Sequence, residues 1–102
     1  MGDRAQVKII DNEKEAPVYL YTHWGGSELE NTVKKALRRG RDRWNDPCYL
    51  SRIIFSEMIK NDIMGTTGYG ICTTEHGDVH TVITVNCEKQ SIQIETKDWK
   101  MK

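Results

Sequence analysis

The period of apolar and polar positions along the chain changes from two to about 3.6 and back again. Residues 6–10 and 18–24 are predicted to form two strands joined by a turn that contains Pro17. The second of these, VYLYTHW, alternates strictly between its two faces. One face carries Val18, Leu20 and Thr22 and is expected to contact the core. The other face carries Tyr19, Tyr21 and His23, and this aromatic face is expected to form an outer surface for a ligand or a partner.

Two helices are predicted next. Ser27 stands three residues before Glu30, which is capping-box spacing, and predicts a helix that begins at Glu28 and ends near Gly40. The pair Asp46-Pro47 predicts the start of a second helix, because an aspartate caps well and a proline fits the first turn. The second helix has a wide apolar face and is expected to end at Gly65 and to pack centrally on the sheet.

The last third of the chain is predicted to be a three-stranded meander, with strands at 69–74, 79–87 and 92–96. The order β-β-α-α-β-β-β then predicts an α+β domain: an antiparallel sheet of about five strands with two helices on one face and the other face open. Residues 1–102 are expected to form this single domain, with 97–102 as a tail that is loose unless Trp99 docks.

Composition limits the classes of function. With 102 residues and 37% hydrophobic residues, the core is small, which favours a homo-oligomer formed through the open sheet face. Fifteen basic residues balance fifteen acidic ones, so binding to duplex nucleic acid is disfavoured. No apolar run approaches the ~20 residues that span a bilayer. Three cysteines without CxxC spacing, Cys48, Cys72 and Cys87, indicate a reducing cytosol and are expected to be buried thiols rather than nucleophiles.

The glycine pair Gly25-Gly26 stands between a strand and a helix start, where free amides can hold a phosphate. Glu28 and Glu30 would repel an anion there, so a structural turn is the favoured interpretation and a phosphate site the alternative.

Three histidines are candidates for chemistry. His23 shares a strand face with Tyr21 and precedes Trp24, so a hydrogen-bonding aromatic surface is expected there, as a ligand site or an interface. His80 is a candidate general base. His76 and His80 alternate with Asp78 at ligand-like spacing, but Gly77 indicates a turn, and no metal site or cofactor is predicted.

Four arginines and a tryptophan lie within RRGRDRWND, residues 38–46. Arg41 and Arg43 could hold a phosphate while Trp44 stacks on a base, although a solvated helix end is the simpler interpretation. Tyr69, between two glycines in TTGYG, adds a further position where a ligand could approach the backbone.

The segments YTHWGGSEL, RWNDPCYLSRIIFSEMI and TGYGI resemble a family of short, uncharacterised proteins of tailed phages and prophages, over roughly residues 17–87. The resemblance implies a phage accessory protein, and such proteins are often similar to counter-defence factors that trap a nucleotide immune signal, such as a cyclic ADP-ribose derivative or a cyclic dinucleotide, in the host cytosol.

The first hypothesis is therefore sequestration of a small phosphorylated nucleotide without turnover. Its predicted ligand-binding residues are Tyr21, His23, Trp24, Gly25, Gly26, Arg41, Arg43, Trp44 and Tyr69. The second is a phosphodiesterase that uses His23 or His80 as general acid or base. The third is a protein–protein inhibitor of a host defence complex that binds through the outer sheet face.

Overall fold

The structure is a computed structural model that describes residues 3–11 and 16–96. Within these residues the short 3-10 turns Gly26–Glu28 and Arg41–Arg43 precede the first and second α-helix. The predicted tail, including Trp99, lies outside the described residues. The strands and helices, in chain order, are β1 Ala5–Ile10, β2 Val18–Thr22, α1 Leu29–Arg39, α2 Pro47–Ile59, β3 Tyr69–Cys72, β4 Thr81–Asn86 and β5 Ser91–Thr96.

The five strands form one sheet in the order β3-β2-β1-β4-β5. The predicted α+β class is confirmed, but the sheet is mixed rather than antiparallel, because β1 and β4 run parallel with Val7 opposite Ile83. The meander predicted for the last third is also wrong. β3 pairs with β2 at one edge, and residues 73–80 then cross the sheet before β4 enters beside β1.

Both helices pack on the face of the sheet that the alternation of β2 predicts. Leu20 and Thr22 of β2 are buried on this face, and Ile54 of α2 is fully buried against it. Burial of each such aliphatic side chain contributes about 1.5–3 kcal/mol. The helix-facing core comprises Ala5, Val7, Ile9, Leu20, Leu29, Val33, Ala36, Leu50, Ile54, Met58, Ile83, Val85 and Cys87.

The helix ends follow the sequence signals only in part. The carboxylate of Asp46 accepts a hydrogen bond from the Tyr49 amide at 3.1 Å, and Pro47 opens α2, as predicted. The capping box at Ser27 is wrong: α1 begins at Leu29 without a side-chain cap, because the Ser27 hydroxyl donates to Asp3 instead. The second helix ends at Ile59 rather than near residue 65.

The outer face of the sheet, opposite the helices, is less open than the pattern predicts. Residues 73–80 cross it, and Oε1 of the fully buried Gln6 accepts a hydrogen bond from the His76 amide at 2.9 Å. Tyr19, Val79 and Val82 are buried as well. Across the described part of the chain, neither helix is long and apolar enough to cross a membrane.

Candidate ligand-binding corner

The strand β2 ends in a turn that leads through Trp24 and the glycine pair into α1. Four ring side chains gather around this turn from two separate segments of the chain, and their positions follow from the strand ends that carry them. We call this group, Tyr21, His23, Trp24 and Tyr69, the aromatic corner.

Trp24 is 55% exposed, yet its indole ring is held on several sides. It packs on Gly68, whose φ of +93° and lack of a Cβ allow the ring to lie against the backbone. The rings of His23 and Tyr69 meet the indole edge to face, with centroids at 5.6 and 6.3 Å. The backbone amide of His23 donates to the Gly68 carbonyl at 2.8 Å, which fixes the two segments together. The result is a positioned aromatic surface that faces solvent.

A cation lies beside the aromatic corner. Nε–H of Arg4 donates to Nδ1 of His23 at 3.2 Å, and the Tyr21 hydroxyl is at the same distance from that nitrogen. Because Nδ1 accepts, a neutral His23 carries its proton on Nε2. The guanidinium also pairs with Asp78 at 2.8 Å, with side-chain exposures of 38% and 48%. Arg4 therefore places a partly exposed guanidinium, already paired with Asp78, beside the rings, and a guanidinium is a group that binds phosphate.

His76 extends this surface on the outer face of the sheet. Its ring lies over that of Tyr21, with centroids 4.6 Å apart and a tilt of 37°. Its backbone is anchored through the buried Gln6. The outer side of the corner thus combines stacked rings with hydrogen-bonding nitrogens.

Asp3 fastens the turn that carries Trp24. One carboxylate oxygen of Asp3 accepts from the amide and the hydroxyl of Ser27, and the other lies 2.6 Å from Nε2 of His80. The hydrogen bonds from Ser27, more than the contact with His80, lower the pKa of Asp3 from its ordinary value of 3.8. The second ring nitrogen of His80 contacts the Thr81 hydroxyl at 2.7 Å. Both nitrogens of His80 are therefore engaged within the protein.

The amides of the glycine pair are also engaged. The Gly25 amide donates to the Thr22 hydroxyl at 2.9 Å, and the Gly26 amide donates to the Asp3 carbonyl at 2.8 Å. A carboxylate beside these amides disfavours an anion further. The geometry therefore supports the structural interpretation of the glycine pair and speaks against its amides as phosphate donors.

A small cavity of about 130 Å³ lies behind the aromatic corner, on the helix side of the sheet. A volume of this order accommodates one small ring or a few water molecules. Glu28 lines it, so it does not suit a phosphate. Its lining residues are Thr22, Gly25, Glu28, Leu29, Thr32, Met58 and Tyr69.

The arginine segment, residues 38–46, lies away from the aromatic corner. Arg41 and Arg43 follow α1, and the eleven residues of that helix separate them from the corner by about 16 Å. Trp44 is half-buried against the core, and its indole N–H donates to the Leu37 carbonyl at 2.9 Å. The guanidinium of Arg43 stacks on Tyr49 at 5.2 Å. The nine predicted ligand-binding residues thus fall into two groups at opposite ends of the helices.

The local sequence pattern does not predict the residues that complete the corner from distant segments. Asp3, Arg4 and His76 reach it from the segment before β1 and from the segment that crosses the outer face. One weak sequence feature indicates Arg4, because it continues the polar side of β1 beyond the end of the strand. The pairing of Arg4 with Asp78, 74 positions away, has no local signal.

Within residues 3–11 and 16–96, no three His, Cys, Asp or Glu side chains are grouped so that they could hold a metal ion. Comparisons with protein-family models, with curated proteins and with solved structures found no match for the chain.

Proposed function

We propose that the chain binds a small phosphorylated nucleotide at the aromatic corner and sequesters it without turnover, as a phage-encoded counter-defence protein in the host cytosol. The observation that supports binding is Trp24, which is 55% exposed and yet held by Gly68 and two neighbouring rings. A fixed, exposed indole is a stacking surface that loses little conformational entropy when a base covers it.

The ligand class follows from what surrounds the indole. A base or nicotinamide-like ring stacks on Trp24, and stacking of this kind contributes about 1–3 kcal/mol. A phosphate of the same ligand meets Arg4 and not Arg41 or Arg43, since a small ligand at the corner cannot extend over the length of α1. A cyclic ADP-ribose derivative or a cyclic dinucleotide carries both groups close together.

Binding is favoured over cleavage by the hydrogen bonds of His80. His80 has both ring nitrogens engaged, by Asp3 and Thr81, so neither nitrogen can contact a bound ligand unless one of these hydrogen bonds breaks. His23 uses Nδ1 to accept from Arg4. The phosphodiesterase hypothesis therefore lacks support from His80.

The proposal is tested by titration calorimetry and native mass spectrometry with cyclic ADP-ribose and cyclic di-GMP as probes. For whichever probe binds, Trp24→Ala is expected to lower the affinity by about 10–100-fold. Tyr49→Ala is a matched control, because Tyr49 is also 55% exposed but lies beside Arg43. Heating the complex should release the intact probe. Failure of both probes to bind, or recovery of a cleaved product, would overturn sequestration.

If Tyr49→Ala weakened binding of the probe by about 10–100-fold and Trp24→Ala left it unchanged, the site would lie at the arginine segment instead. Native mass spectrometry also reports the number of copies, and we propose a homo-oligomer. A stable complex with a host protein in lysate, formed without nucleotide, would support the protein–protein inhibitor instead.

A further inference from the structure

Cys72, the last residue of β3, lies on the outer face of the sheet beside an imidazole. Its Sγ is 3.4 Å from Nε2 of His76. The other two cysteines differ, because Cys87 is buried and Cys48 is exposed in the first turn of α2. The expectation that all three cysteines are buried thiols is therefore wrong for Cys48 and Cys72. In the tautomer that carries its proton on Nδ1, Nε2 of His76 is a proton acceptor for the Cys72 thiol.

The imidazole of His76 is positioned rather than free to turn away. Its backbone amide donates at 2.9 Å to Gln6, which is 0% exposed, and its ring lies 4.6 Å from that of Tyr21. Gln6 also donates to the Thr74 carbonyl at 3.5 Å, so the segment between thiol and imidazole is tied to the sheet at two points. Such a thiol and imidazole, held in contact and open to solvent, form the arrangement that activates a cysteine.

We propose that Cys72 is a nucleophilic thiol that exchanges with small disulfides, with His76 as its base. Nε2 of His76 takes the thiol proton, and the Cys72 thiolate attacks one sulfur of the disulfide. A new S–S bond forms at Cys72 while the S–S bond of the disulfide breaks. The departing thiolate then takes the proton from the His76 imidazolium. The products are a mixed disulfide on Cys72 and one free small thiol.

This modification site is independent of the proposed nucleotide binding, since neither Cys72 nor its contact with His76 is needed to stack a base on Trp24. The adduct would nevertheless lie on the face that carries Tyr21 and His76. The chemical class of the modifying agent is a low-molecular-weight disulfide of the glutathione type.

The test uses oxidised glutathione and intact mass spectrometry on the Cys48→Ser protein, with peptide mapping of the adduct. One adduct at Cys72 is expected at pH 7, and adding His76→Gln should slow its formation about tenfold or more. At about pH 9.5, where a thiol ionises without help, the two rates should converge. If His76 only supported the local structure, the rates with and without His76→Gln would not converge at high pH.

Cys48 supplies the matched control. In the Cys72→Ser protein, the rate at Cys48 should be the same with and without His76→Gln. Equal rates at Cys72 with and without His76 at pH 7 would overturn the proposal. A faster reaction in His76→Gln, which loosening of the segment would cause, would overturn it too.

Discussion

The imidazole Nε2 of His80 lies 2.6 Å from a carboxylate oxygen of Asp3, although 77 positions separate the two residues. The other oxygen of Asp3 accepts from the amide and the hydroxyl of Ser27. One carboxylate thus joins the segment before β1, the turn before α1 and the residue before β4. This connection holds the turn that presents Trp24.

Replacing Asp3 with Asn should therefore lower the free energy of unfolding by about 1–2 kcal/mol at pH 7, since hydrogen bonds to a charged group contribute about 1.5–3 kcal/mol and this one is partly exposed to solvent. Asp78→Asn is the control, because its ion pair with Arg4 is at the surface and is expected to contribute at most about 1 kcal/mol. Urea unfolding of both variants measures the difference. Equal losses would show that Asp3 is only another surface charge.

The same variant should show a specific pH dependence. The pKa of Asp3 is lowered in the folded protein, chiefly by Ser27, so its stabilisation is present above the ordinary value of 3.8 and is lost as pH falls through the lower folded value. The stability gap between wild type and Asp3→Asn should therefore be full at pH 6–7 and should shrink below about pH 4. A gap that grew on acidification would contradict this assignment.

Gly26 tests the close packing at the same turn. A Cβ there would lie 2.5 Å from the Asp3 carbonyl oxygen and 2.6 Å from Nε2 of His80. The first contact is with backbone, so Gly26→Ala should cost about 1–3 kcal/mol by overpacking. Gly77→Ala is the matched control, since a Cβ at Gly77 meets no atom within 4 Å. Thermal unfolding of both variants should lower the midpoint only for Gly26→Ala, and a similar change in both would argue against tight packing here.

The part of the fold that depends on local pattern could be predicted from the sequence. Alternation placed Leu20 and Thr22 on the core face, and Asp46-Pro47 marked the start of α2. The pairing of β1 with β4 could not be predicted, because the register between strands so far apart in the sequence is set by tertiary packing. For the same reason the capping box failed: the Ser27 hydroxyl has a better acceptor in Asp3, 24 positions away.

The residues of the candidate site also fall into two groups, those that a local pattern brings together and those that tertiary contacts bring together. Tyr21, His23 and Trp24 are consecutive or alternate in one strand and turn, so their proximity follows from the sequence. Arg4 and His76 reach the corner through contacts between distant segments, so no local pattern places them beside Trp24. The arginine segment looked relevant because it is rich in charge, but the length of α1 keeps it away from Trp24.

Gly68 should control the position of Trp24. Its φ of +93° is unfavourable for residues with a side chain, and a Cβ would overlap the indole, so Gly68→Ala should displace the ring. The fluorescence difference between proteins with Trp24 and with Trp24→Phe isolates this indole from the other tryptophans. That difference spectrum should shift to the red and become more sensitive to acrylamide in the Gly68→Ala background. Gly70→Ala, where a Cβ meets nothing within 4 Å, should leave it unchanged.

Cys87 should be the least reactive thiol of the native protein. Burial, with smaller contributions from the charges of Asp11 and Asp46, raises its pKa to about 11. At pH 8 only about one molecule in a thousand then carries the thiolate, the form that reacts. Iodoacetamide at pH 8, followed by peptide mass spectrometry, should label the exposed Cys48 and leave Cys87 unmodified. Unfolding in guanidinium chloride should make Cys87 react as well, because its burial is lost. Labelling of native Cys87 as fast as Cys48 would contradict its burial between the sheet and the helices.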